Sequence, residues 1–119
     1  TENIKTTKVA IIQFPDNAII PDNSADKVLE EIAKFKDEKK IRLVGHASKT
    51  GSETIEGKRI NMEISISRAQ TIKNMLINKG YDGNNIEVFG KGDLEPLQEE
   101  EEKFGEAVNR RVEVFFISN

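Results

Sequence analysis

The chain predicts an α+β fold: a mixed sheet with two helices on one face, in the order β-α-β-α-β-β. Three observations predict it. Short apolar runs alternate with segments of helical spacing, so the first three strands are separated by helical crossovers rather than by tight turns. A long polar stretch over 93–108 then precedes the last strand. At 119 residues the chain is expected to form a single domain over 1–119, long enough to bury one core.

The first strand is read in Val9-Ala10-Ile11-Ile12-Gln13-Phe14, a nearly continuous apolar run stopped by Pro15. Pro15-Asp16-Asn17 and Pro21-Asp22-Asn23 punctuate the loop that follows. Ser24 is the expected N-cap of the first helix, its hydroxyl accepting from a first-turn amide. Ala25, Val28, Leu29, Ile32 and Ala33 then recur at helical spacing, with Lys27, Glu30, Glu31 and Lys34 on the wet side. In the second strand, Ile41 to His46, the residues Ile41, Leu43 and Gly45 alternate with Arg42, Val44 and His46. Residues 48–63 read as a polar, glycine-punctuated loop. A second helix is expected from about Ser65 to Lys79, burying Ala69, Ile72, Met75 and Leu76. Gly80 stands where a left-handed C-cap belongs. Ile86 to Phe89 and Arg111 to Ile117 are the third and fourth strands, and Glu99 to Glu102 lie in a solvated acidic loop between them.

Composition excludes several functions. Hydrophobic residues make up 36% and charged residues 33%, and no apolar run approaches the roughly 18 residues of a membrane span. A net charge of −3 argues against nucleic acid as a partner. The absence of cysteine removes disulfides, thiolate metal sites and cysteine nucleophiles together. His46 is the only histidine, with no second histidine and no ordered set of acids for a metal, so neither a metal nor another cofactor is expected. His46 and Ser48 lie two apart but lack an orienting acid, oxyanion donors and a Gly-x-Ser-x-Gly turn, so an enzyme is not expected either. Gly90 and Gly92 do not form a phosphate loop, because no helix signal follows them.

Three strings carry a more specific signal: Gly45-His46-Ala47-Ser48, Ile64-Ser65-Ile66-Ser67-Arg68-Ala69, and Asn109-Arg110-Arg111-Val112-Glu113. Together they resemble the OmpA-like C-terminal domain, the periplasmic module of OmpA, Pal and MotB-type proteins. The resemblance covers nearly the whole chain and implies a two-layer sandwich. Phe14 matches the aromatic residue before the first helix, and Asn61 the asparagine ahead of the Leu-Ser pair. Gly51-Ser52 and Gly90 to Pro96 match two turns of the family. The family's function is non-covalent anchoring to peptidoglycan through the diaminopimelate of the stem peptide. The resemblance therefore implies peptidoglycan as partner, a periplasmic location, and attachment to the outer or, less commonly, the inner membrane through a region outside this chain. It also implies a second copy or another envelope protein as further partners. The chain is read as the C-terminal part of a larger membrane-anchored protein.

The ligand chemistry explains the choice of residues. The free end of diaminopimelate is a zwitterion, and a planar guanidinium can fork onto its carboxylate with two charge-assisted hydrogen bonds. Arg68 occupies the family's arginine position, and a helix starting near Ser65 would add first-turn amides and the positive end of the dipole. Where the family has an aspartate for the ammonium, this chain has Ser48, and the segment from Gly45 to Arg68 is several residues longer than the usual family spacing. A lost charge-assisted bond costs about 1.5–3 kcal/mol. Glu63 and Glu53 are the acids nearest in sequence that could substitute. Alternatively the ligand differs, or the domain no longer holds muropeptides and serves as an assembly scaffold. The expected ligand-binding set is Arg68, Ser48, His46, Ala47, Asn61, Glu63, Asn109 and Arg111, with Arg110 structural and the backbone amides of residues 46–52 contributing donors.

Overall fold

The computed structural model describes residues 4–49, 53–94 and 109–118. Its elements are β1 (Lys5–Gln13), α1 (Ser24–Ala33), β2 (Lys40–Gly45), α2 (Ile55–Asn78), β3 (Ile86–Gly90) and β4 (Arg111–Ser118), with a 3-10 turn at Gly83–Asn85. The expected order is observed. The acidic run Glu99 to Glu102, the Gly51-Ser52 pair and the Glu95-Pro96 end of the glycine turn lie outside the described residues.

The sheet order is β1-β4-β2-β3. β4 pairs antiparallel with both β1 and β2, whereas β2 and β3 run parallel. β1, β2 and β3 therefore all end at one edge of the sheet, where β4 begins. Period-2 alternation sends Ile12, Leu43, Val112 and Val114 to one face, where they join Leu29, Ile32, Ile72 and Leu76 of the two helices in a single core. β1 starts four residues earlier than the apolar run, at Lys5, because a bulge between Lys8 and Ala10 lets its polar half continue the ladder with β4.

α1 differs from expectation at its start. Ser24 is its first helical residue rather than its cap, and Asn23 occupies the cap position in helical conformation without a side-chain bond. The carbonyls of Asp22 and Asn23 accept from the amides of Ala25 and Asp26 instead, so a backbone turn does the capping. Val28, expected inside, is half exposed; Ala25, Leu29, Ile32 and Ala33 form the buried stripe.

α2 differs more. It begins at Ile55, ten residues before the expected start. The Thr54 hydroxyl accepts from the Gly57 amide at 2.9 Å, capping the helix. Glu56, Arg59 and Glu63 form ion pairs three and four residues apart along its exposed side. At 24 residues α2 is about 36 Å long, whereas the six residues of β2 span about 20 Å. Its first half therefore projects past the sheet edge where β1, β2 and β3 end.

Two glycines set how deeply α2 sinks. Gly45 and Gly90 are partners in the β2–β3 register. A Cβ at Gly45 would lie 1.8 Å from the Ser65 carbonyl oxygen; at Gly90 it would lie 2.3 Å from Ile66 Cγ1 and 2.7 Å from Ser65 Oγ. The missing side chains form a slot for one turn of α2. Ser65 locks that turn, its hydroxyl donating to the Met62 carbonyl at 2.7 Å and accepting from the Gly92 amide at 2.9 Å. Gly80 follows α2 at φ +105°, as its C-terminal position requires.

Candidate functional site

With Ser65 seated in the glycine slot, Arg68 lies one turn further along the same side of α2, against the ends of β1 and β2. It is 2% exposed. Nε donates to the Ala18 carbonyl at 2.8 Å and Nη1 to the His46 carbonyl at 3.0 Å. Cζ stands 5.4 Å from the centre of the ring of Phe14, which belongs to the core. No carboxylate forms an ion pair with Arg68 among the described residues, and Nη2 carries no hydrogen bond there.

The expectation that Arg68 sits in the first turn of its helix is corrected. It lies 13 residues beyond Ile55, about 20 Å along the axis, and the amides around it belong to the helix interior. The dipole's influence is confined to the first turn, so it contributes nothing to this guanidinium. Burial, followed by the charge of Arg110, pushes the Arg68 pKa down to about 10, against the opposing effect of Asp16. Arg68 remains a cation at neutral pH.

The guanidinium faces a narrow cleft of about 20 Å³ whose lining includes Ala47, Ser48 and Asn61. Asp16, Asn17, Ile64 and Arg110 complete the lining. This volume is enough for a single water or one oxygen of a carboxylate. Arg68, Ala47, Ser48 and Asn61 are thus brought together as expected. His46 contributes its carbonyl, while its imidazole belongs to the opposite face of the sheet.

Three expected residues are not brought to the cleft. Glu63 is exposed on α2, paired with Arg59. Asn109 is fully buried but does not line it. Arg111 points to the open face of the sheet, and it is Arg110 that lines the cleft, its Nε donating to the Phe14 carbonyl at 3.0 Å. Glu53, the other acid considered, is exposed and outside the lining as well. The acid that does line it, Asp16, was missed. Its signal was its place directly after β1, whose end shares an edge with the end of β2.

The fold and the strings around Arg68 agree with a wider comparison. A family model described as the OmpA family matches residues 13–110. The chain belongs to that family. Outer membrane protein A of Bordetella avium is 35% identical over 94 residues, 79% of this chain and 45% of that protein. The peptidoglycan-binding protein ArfA of Mycobacterium tuberculosis is 32% identical over 75 residues, 63% of this chain and 22% of that protein. The chain thus spans less than half the length of these relatives. Among solved structures, the peptidoglycan-associated lipoprotein of Burkholderia pseudomallei superposes with a TM-score of 0.80 at 17% identity, covering 89% of this chain and 88% of that one. No helix among the described residues is long and apolar enough to cross a membrane.

This OmpA-family domain carries a second buried charged group on the open sheet face. Arg111 Nε donates to Glu113 Oε2 at 2.6 Å, Lys8 Nζ lies 3.2 Å from Oε1, and His46 Nε2 lies 3.6 Å from Oε2. Burial alone would raise the Glu113 pKa, but the hydrogen bond and charge of Arg111, with Lys8 and His46, hold it below the ordinary 4.5. A carboxyl made more acidic by folding contributes stability above its unfolded pKa. That contribution is lost as the pH falls below 4.5 through the folded value. Glu113→Gln is expected to cost about 2 kcal/mol at pH 7, less than stripping a buried ion pair outright, because the amide oxygen still accepts from Arg111. Thermal melts from pH 7 to pH 3 check it: the variant's profile should be flatter than the wild type's on the acid side.

Proposed function

We propose that this domain holds peptidoglycan non-covalently, through the diaminopimelate end of the stem peptide, and so tethers a membrane-attached protein to the wall from the periplasm. The observation that carries the reading is the buried Arg68 guanidinium, held by two carbonyls and by no carboxylate among the described residues. A buried cation is costly unless paired, and a buried arginine facing a cleft is poised for a carboxylate from outside. Membership of the OmpA family and the likeness to a protein named for peptidoglycan binding support the choice of ligand. The cleft's size means that one carboxylate oxygen reaches the guanidinium while the rest of the head group lies across the mouth, over Ser48 and Asn61. Recognition is an equilibrium in which no bond is made or broken.

Pull-down with purified sacculi tests this. Wild type is expected in the pellet and Arg68→Ala in the supernatant, with circular dichroism confirming that the variant is folded. Retention of folded Arg68→Ala would remove the cleft from the account. Incubated sacculi should release no fragments. Glu63→Gln, in contrast, is expected to pellet as wild type, since that carboxylate is occupied by Arg59 away from the cleft. A second reading, a scaffold that assembles envelope proteins and no longer takes muropeptides, is favoured by the cleft's 20 Å³ and by Ser48 in the acid's place. It requires that wild type itself stay in the supernatant.

A further inference from the structure

Resting on that reading, we infer that Asp16 supplies the counter-charge for the ammonium of the bound head group, taking over from the acid that Ser48 replaces. The acidic partner would then have moved from the turn after β2 to the turn after β1. Asp16 is the one acid among the residues lining the cleft, and it stands there with two cations, Arg68 and Arg110. Its carboxylate makes no hydrogen bond or ion pair among the described residues. The cleft therefore offers two guanidinium groups for a carboxylate and, in Asp16, a carboxylate with no hydrogen bond or ion pair among the described residues for an ammonium, which is the charge pattern of an amino-acid head group.

The backbone explains why Asp16 is held in place. The amide of Ala18 donates to the Pro15 carbonyl at 3.1 Å, closing a turn over residues 15–18. Asn17 takes φ +57° within it, a left-handed conformation that asparagine tolerates better than most residues. The carbonyl of Ala18 is then free to accept from Arg68 Nε. The guanidinium that would receive the carboxylate thus also clamps the turn that carries the acid. The two halves of the zwitterion would be read by groups fastened to each other.

Asp16 is exposed, whereas Arg68 is buried. Its attraction for an ammonium is accordingly screened by salt, while the pairing at Arg68 is screened much less. The domain should distinguish a zwitterionic end from a plain carboxylate by about tenfold at low ionic strength, and by less at high.

The test uses a muropeptide with a free diaminopimelate end and the same peptide acetylated on that amine, titrated calorimetrically. Wild type is expected to prefer the free amine about tenfold. Asp16→Asn should bind both peptides equally, at the wild-type affinity for the acetylated one. Ser48→Asp added to Asp16→Asn should bring the preference back. A preference that survives in Asp16→Asn overturns this inference while leaving the peptidoglycan reading intact. Wild type that binds neither peptide, or binding indifferent to Arg68→Ala, overturns that reading and the inference with it.

Discussion

Gly45→Ala is expected to unfold the domain or to lower its melting temperature by more than about 10 °C. The added Cβ would meet the Ser65 carbonyl oxygen at 1.8 Å and its carbonyl carbon at 2.8 Å. Both atoms are backbone of α2, so no side-chain rotation can relieve the overlap. The helix must lift off the sheet, parting Ala69, Ile72 and Leu76 from Leu43 and Val114 and breaking the bond from Gly92 to Ser65. Overpacking of this kind costs about 1–3 kcal/mol where side chains can adjust, and more where they cannot. Gly83→Ala is the matched control. Its Cβ would come tightest to Ile77 Cδ1 at 3.3 Å, the far end of a flexible side chain, with Lys73 Cε at 3.7 Å in ordinary contact, and its melt should be nearly unchanged. Any Gly45→Ala protein that does fold should also lose sacculus binding, because Arg68 rides on the displaced turn.

Arg68→Lys is expected to weaken muropeptide binding on the order of a hundredfold, nearly as much as Arg68→Ala. The guanidinium spends Nε on Ala18 and Nη1 on His46 and still presents Nη2 to the cleft. A lysine has a single nitrogen at the end of its stem and cannot span two carbonyls and a ligand in one plane. It is also expected to destabilise the empty domain by about 1–3 kcal/mol, the cost of leaving a buried carbonyl short of its partner. Calorimetry and thermal melts read the two effects separately.

Alkaline pH reports on the same group. Because folding lowers the Arg68 pKa to about 10, the charged side chain opposes folding wherever it is protonated in both states, that is below about pH 10. The penalty is relieved as the pH rises above about 10. A bound carboxylate offsets it at neutral pH, so muropeptide should raise the melting temperature of wild type and not of Arg68→Ala. A hundredfold excess over Kd corresponds to about 2.7 kcal/mol.

Most of the fold is legible along the chain because its signals are local. Leu43 between Arg42 and Val44, and Val112 and Val114 flanking Glu113, mark strands by alternation; Leu29 and Ile32 mark α1 by helical spacing. The first half of α2 escapes the same logic. Its inward positions are Asn61 and Ser65, followed by Arg68 just beyond, whereas Ile55 and Ile60 are exposed, so apolar periodicity there points the wrong way. That inversion arises because this half of the helix covers a polar cleft beyond the end of the sheet rather than the core. The exchange of Arg110 and Arg111 was within reach of the sequence. Arg110 shares the side of Val112 and Val114, the helix side, and alternation puts Arg111 with Glu113 on the other.

By itself the sequence determined the order of elements, the identity of the core strands and family membership, and it singled out Arg68. Those follow from short-range patterns and from strings whose meaning does not depend on distant partners. Only the tertiary structure decided which acid faces that cation. β1 and β2 are not neighbours in the sheet, and it takes β4 between them to bring their ends to one edge. Asp16, 52 positions before Arg68 in the chain, becomes its neighbour through that arrangement and through the depth to which two glycines let α2 descend.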